Sequence, residues 1–171
     1  MTLNIASAQT RTMPTDRPFR PGNEALLADQ PIAFFRSHIW PGDLILNEQD
    51  WANTREADDA PVISGFHTPV ERDVMRILLR GGCLIIYTFA RSIEGTRLPA
   101  AVRAAQKQDH ALYPAAARQT TARTATVLIA HASIGGKTER LAAEAVAMGL
   151  LVFTLPSPSN ASLIGIGAEV I

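Results

Sequence analysis

Between His131 and Thr138 the chain reads HASIGGKT, a residue set that can cradle an oxyanion. Gly135 and Gly136 let the backbone come close to a ligand. Lys137-Thr138 open a helix, where unpaired N–H groups and the helix dipole favour negative charge. The stretch approaches the phosphate-binding loop G-x-x-x-x-G-K-[ST], but His131 stands where the first glycine belongs. No aspartate follows a strand in the way magnesium binding would require, which argues against nucleoside triphosphate hydrolysis. Ser64-Gly65-Phe66-His67, just before a second helix start at Thr68-Pro69, offers related chemistry. For both stretches the competing reading is a tight strand-to-helix turn with solvated polar side chains.

Other constellations are weaker. His38, His67, His110 and His131 show no metal-ligand spacing, and neither His67 nor His131 has a carboxylate beside it in sequence. Ser64 lacks the G-x-S-x-G frame of a hydrolase nucleophile. Arg72, Arg76 and Arg80 form an i, i+4, i+8 row, a pattern more often solvated than used as a phosphate rail. Cys83, the one cysteine, opens an apolar run and reads as an inert core residue that can form no internal disulfide. No metal and no cofactor is expected.

The 171 residues are 47% apolar and 19% charged, an ordinary globular composition. Sixteen basic residues balance sixteen acidic ones, so bulk charge gives no reason to expect nucleic acid or an acidic membrane. The distribution is uneven: eleven basic against four acidic residues lie between Arg72 and Arg140. That excess is compatible with one phosphate-attracting face, or with arginines scattered over helix surfaces. No apolar run has the length of a membrane span and the first 30 residues lack a secretory pattern, so a cytoplasmic location is the default expectation.

Residues 1–22, rich in Thr, Pro and Arg without apolar periodicity, read as a flexible tail ahead of a single domain over residues 23–171. Within the domain, short apolar runs predict strands at 32–35, 61–63, 83–89, 127–130 and 150–155, with an edge strand at 170–171. Continuous Ile/Leu/Val runs suit strands buried on both faces of a parallel sheet. Thr68-Pro69-Val70-Glu71 reads as a capping box with Pro at the first helical position. Val70, Val74, Ile77 and Leu78 make its buried stripe, and Gly81-Gly82 its stop. A second helix at 138–148 would bury Leu141, Ala145 and Met148; shorter ones are expected at 47–57, 99–107 and 159–166. The alternation predicts a doubly wound α/β fold with a mostly parallel sheet, in which ligands sit beyond the carboxyl ends of the strands. Those ends carry Ser37; Ser64 to His67; Arg91 and Ser92; and Gly135 to Thr138.

Taken in order, these stretches resemble the DNA-processing protein A (DprA) family, and within it a group of short, stand-alone DprA-like proteins. The supporting residues are Ser37 with Pro41-Gly42-Asp43-Leu44-Ile45-Leu46, Val62 to Glu71, Leu78 to Gly81 and Ala90 to Gly95. They continue with Val127 to Ala132, Gly135 to Glu139, Asn160 to Ile164, and Gly167-Ala168. The resemblance implies a Rossmann-like core, single-stranded DNA as ligand, dimerisation, and a mediator's role in DNA recombination or uptake with no catalysis. It also implies a phosphate-binding crevice at Ser37, Ser64, Gly65, Phe66, His67, Arg91, Ser92, Gly135, Gly136, Lys137 and Thr138. The sequence departs from the family in two motifs. The first-strand Gly-Ser-Arg is Arg36-Ser37-His38 here, and an Arg-Asn-Arg-like motif is reduced to Ala116-Ala117-Arg118. Two other readings use the same crevice: a sensor of a nucleotide-derived small molecule, and a phosphoribohydrolase similar to the lonely-guy group with Glu139 as its acid. The latter's P-G-G-x-G-T-x-x-E signature is compressed to Gly135-Gly136-Lys137-Thr138-Glu139.

Overall fold

The computed structural model describes residues 26, 29–38, 41–88, 98–108, 110–112 and 126–171. Strand β1 (Ile32–Arg36) leads to α1 (Asp43–Asn53), β2 (Val62–Ser64), α2 (Pro69–Arg80), β3 (Ile85–Tyr87), α3 (Ala100–Gln106) and β4 (Ala111–Leu112). The second half runs β5 (Thr126–His131), α4 (Lys137–Ala147), β6 (Leu151–Thr154), a 3-10 turn (Pro158–Asn160), α5 (Ala161–Ile166) and β7 (Glu169–Val170). The strands form one sheet in the order β4-β3-β2-β1-β5-β6-β7, and every pairing is parallel. This is a Rossmann-like α/β fold. The order reverses between β1 and β5, so the crevice between their carboxyl ends is its topological switch point.

Alternation along the strands sends side chains to two apolar layers. Phe34, Val62, Ile85, Leu128 and Ala130 pack with Leu44 and Ala52 of α1, Val74, Met75 and Leu78 of α2 and Val102 of α3. Ala33, Ile63, Ile86, Val127, Ile129 and Val152 pack with Ala142 and Ala145 of α4 and Leu163 of α5. Burial on both faces is why the strands read as continuous apolar runs.

Local signals set most boundaries. Thr68 caps α2 as expected: its hydroxyl accepts from Glu71 N–H, and the Glu71 carboxylate accepts from Thr68 N–H at 2.7 Å. The helix closes with a Schellman pair, Gly82 N–H to Leu79 C=O and Cys83 N–H to Leu78 C=O. That closure uses the Cys83 amide, which is why β3 begins at Ile85 and not at Cys83. Cys83 is buried, as expected. Helix α1 begins four residues before the expected Asn47, because Pro41 and Gly42 carbonyls already accept from Leu44 and Ile45 N–H and Leu44 is fully buried. In α4 the buried residues are Ala142 and Ala145, while Leu141 is half-buried and Met148 is exposed. The expected stripe is therefore rotated, with alanines facing the sheet. Strand β4 carried too little apolar signal to be expected, having two residues. The expected tail at 1–22 and residues 116–118 lie outside the described residues.

Replacing Thr68 by Ala removes one half of the capping box. It should cost about 1 kcal/mol in chemical denaturation, with an unchanged m-value.

Candidate functional site

The switch-point crevice is built from the two loops that leave β1 and β5. A register irregularity at Phe35/Arg36 sets Arg36 opposite His131. Beyond it Ser37 N–H donates to His131 C=O at 2.9 Å, and Ser133 N–H donates to the Ser37 hydroxyl oxygen at 3.0 Å. Ser37 is thus the cross-link between the two loops. It is half-buried, and its own O–H remains to donate.

The β5 loop then turns sharply. Gly136 N–H donates to Ser133 C=O at 2.9 Å, and Gly135 takes a φ of 71°. A Cβ on Gly136 would sit 2.7 Å from the Ser133 carbonyl oxygen, so the turn itself requires glycine there. Gly136 is also the N-cap of α4 and supplies no capping side chain. The Glu139 carboxylate folds back and accepts from Gly135 N–H at 2.5 Å. The cradle differs here from its expected form: the Gly135 and Gly136 amides are engaged by protein atoms. What the turn leaves for an anion are the first-turn amides of α4, at Lys137 and Thr138, with the exposed Lys137 side chain beside them.

Two buried clusters hold the rim in place. Asn160 is wholly buried, and its Nδ2 donates to Ala130 C=O at 2.8 Å and Leu155 C=O at 3.0 Å. Its Oδ1 therefore faces His131 Nδ1, 2.9 Å away, and this assigns the imidazole proton to Nδ1. On the opposite face of the sheet, Arg36 Nε lies 3.3 Å from Glu48 Oε1, with both side chains fully buried. Burial pushes the Glu48 carboxyl up to about 7, a shift opposed by Arg36 and reinforced by Glu71. Burial likewise lowers the Arg36 guanidinium from its ordinary value, against the pull of Glu48 and Glu71. Glu48 thus holds Arg36 on the face of the sheet that α1 covers. Above the crevice, Asn47 Nδ2 donates to Pro156 C=O at 2.7 Å and the Ser157 hydroxyl to Asp43 Oδ2 at 3.0 Å, tying α1 to the loop after β6.

The β2 loop lies at the same end of the sheet. Ser64 is buried, its carbonyl accepts from Thr88 N–H at 2.9 Å, and Phe66 is buried at a φ of 45° with its ring 5.9 Å from Tyr87. A left-handed backbone at a bulky aromatic is strained, and complete burial of the ring holds it there. His67 is exposed and its ring lies over Gly65, where a Cβ would come within 2.3 Å of Nε2. Of the arginine row, Arg72 donates to His67 C=O, Arg76 pairs with Asp73, and Arg80 donates to Asn53 Oδ1. The row lies exposed on α2, with each arginine bonded to a neighbour.

The sheet order therefore brings Ser37, Ser64 to His67, and Gly135 to Thr138 to the carboxyl end of the strands, with Ser37 bonded directly into the β5 loop. Arg91 and Ser92 lie outside the described residues. Glu48 and Asn160 were not anticipated as parts of the rim, and Ser133 stood within the expected loop without a role of its own. A signal existed for Glu48, which stands between Leu44 and Ala52 at i, i+4, i+8 on the buried stripe of α1. Among the described residues no group of three or more His, Cys, Asp or Glu side chains is placed to hold a metal, and no helix is long and apolar enough to cross a membrane.

No protein-family model and no curated protein matches the chain in sequence. In structure it is similar to DNA processing protein A (DprA) from Streptococcus pneumoniae, with a TM-score of 0.69 and 17% identity over 90% of this chain and 62% of that one. It is also similar to DprA from Helicobacter pylori, solved for its single-stranded DNA binding mode. That likeness has a TM-score of 0.64 and 16% identity, over 89% of this chain and 80% of the other. The fold is DprA-like, and the chain spans 62% of the length of the pneumococcal protein.

Asn160→Ala would leave two buried carbonyls and the His131 N–H without partners. It should destabilise the fold by about 2–4 kcal/mol in chemical denaturation.

Proposed function

We propose that the protein binds single-stranded DNA, gripping its phosphate backbone in the crevice between β1 and β5, in a mediator's role in DNA recombination or uptake. The observation that carries this reading is the meeting of Ser37 with an α4 N-terminus that lacks a capping side chain and bears Lys137, within a DprA-like fold. The DprA of Helicobacter pylori binds single-stranded DNA. Backbone amides at a helix start recognise phosphate oxygens without regard to base, as a sequence-independent DNA binder requires.

Affinity would come from phosphates more than from stacking. Among the described residues no Phe, Trp or Tyr ring is exposed, and Phe66 of the β2 loop is wholly buried. Base stacking makes single-strand binding tolerant of sequence, whereas phosphate contacts make it fall steeply as salt rises. Glu139 already satisfies the Gly135 amide, so an incoming phosphate must compete with a carboxylate for that donor.

A second reading is favoured by the size of the cradle. One turn and one helix start hold a single phosphate, which also suits a small nucleotide-derived ligand. Salt separates the two: an oligonucleotide touching several phosphates loses orders of magnitude in affinity between low and moderate salt, and a mononucleotide far less.

With an oligothymidylate as probe, Lys137→Ala should weaken binding several-fold and reduce the salt slope by about 1. Glu139→Gln removes the competing charge and should tighten binding by roughly threefold to tenfold. Fluorescence anisotropy across a salt series measures both. Unchanged affinity in both variants would remove the crevice from the binding reaction.

A further inference from the structure

We infer that His131 meets the phosphate from the β5 side of the crevice, and that it does so as the imidazolium, taking a proton from solvent onto Nε2 when DNA binds. The inference rests on the crevice reading above and adds a residue and a proton to it. His131 is more than nine-tenths buried, with 7% of its surface exposed. Its Nδ1–H is committed to Asn160 Oδ1 at 2.9 Å, which leaves a lone pair on Nε2. Nε2 has no partner among the described residues, and it is not one of the polar atoms sealed from water.

Topology gives the direction in which the ring is open. Strand β5 is flanked by β1 and β6, with α1 packed over one face and α4 over the other. His131 is its last residue, so water reaches the imidazole from the carboxyl end of the strand, where the crevice lies. The same residue sits between the two loops: its C=O accepts from Ser37 N–H, and Ser133, two residues on, donates to the Ser37 hydroxyl oxygen. A phosphate oxygen brought to a bare Nε2 would set lone pair against lone pair. A proton between them turns that repulsion into a charge-assisted hydrogen bond. The crevice is short of other donors, because Gly136 N–H is bonded to Ser133 C=O and Gly135 N–H to Glu139.

Histidine is the side chain that ordinarily changes charge between pH 5 and 8, so this step lies in the range of ordinary solution conditions. Protonation at Nε2 leaves the Nδ1–H bond to Asn160 in place, and no bond in the protein has to break. The charged and titratable groups on the surrounding elements are few. Strand β1 brings Arg36, whose side chain lies beside Glu48 on the α1 face, and His38 follows Ser37. Helix α4 brings Lys137 and Glu139, the latter bonded to Gly135, and α1 brings Asp43, bonded to Ser157. The end of β6, the 3-10 turn and α5 bring neutral residues alone.

The test uses the full chain with oligothymidylate as probe. Long-range nitrogen-15 NMR of the imidazoles at about pH 7.5 should show His131 Nε2 bare in the free chain and carrying a proton at saturation. His131→Asn keeps a donor at the Nδ1 position for Asn160 and has nothing to protonate. From about pH 8 down to pH 6, wild-type affinity should rise roughly threefold to tenfold more than that of His131→Asn, within the limit of tenfold per pH unit for one proton. Contributions from His38 and His67 are common to both proteins and cancel in that ratio. Nε2 still bare at saturation overturns the inference, and so does a parallel pH dependence in the two proteins. If His131→Asn fails to fold, the nitrogen-15 measurement on the wild type decides. Shifted Ser133 and Lys137 amides with a bare Nε2 overturn the inference alone, whereas amides unmoved at saturation overturn the crevice reading together with it.

Discussion

The seam between β1 and β5 is the constraint on which the molecule depends. Each strand is hydrogen-bonded on both sides, β1 to β2 and β5, and β5 to β1 and β6. Neither can shift register without breaking two ladders. The seam divides the chain: units that follow β1 build outward to β4, and units that follow β5 build outward to β7. Helices α1 to α3 cover one face and α4 and α5 the other. Two helix N-termini, those of α1 and α4, therefore reach the same crevice from opposite faces. They are not equivalent. Helix α1 carries Asp43 in its first turn, bonded to Ser157, so negative charge already stands there. Helix α4 starts at a glycine with Lys137 next to it, which leaves it the terminus with room for an outside anion.

Buried polar groups at the strand ends fix this geometry more tightly than apolar packing could. Asn160 joins the ends of β5 and β6 with directed hydrogen bonds, and Ser37 joins the ends of β1 and β5. Apolar contacts tolerate small slips, whereas a wholly buried amide loses its partners if either strand moves. The Arg36–Glu48 pair is different in kind. Its two side chains are fully buried, and the pair links α1 to the end of β1.

The architecture was legible because its signals are local. Apolar runs marked six of the seven strands, and the Thr68–Glu71 box with Gly81-Gly82 marked both ends of α2. Of the residues on which the DprA resemblance rested, Ser37, Ser64 and the Gly135 to Thr138 stretch follow or end strands in the structure. What was not legible depends on which groups meet in space. Glu139 reaching back to Gly135 is invisible as spacing, because the glycine pair signals an open cradle equally well. The partnership of Arg36 with Glu48 needs the start of α1, and that start is set by Pro41 and Gly42 carbonyls and not by any capping side chain. Asn160 stands in the sequence as one polar residue among Ser, Pro and Ala, and its three partners lie on β5 and in the loop after β6.

The direct test of a phosphate grip at the β1–β5 switch point is a nitrogen-15 amide map of the full chain titrated with oligothymidylate at low salt. The crevice reading predicts that the perturbed amides centre on Ser37, Ser133 and Gly135 to Glu139, and that added salt reverses the shifts. Saturation with those amides unmoved, and perturbation confined to the exposed arginine face of α2 or to the β7 edge, would contradict it.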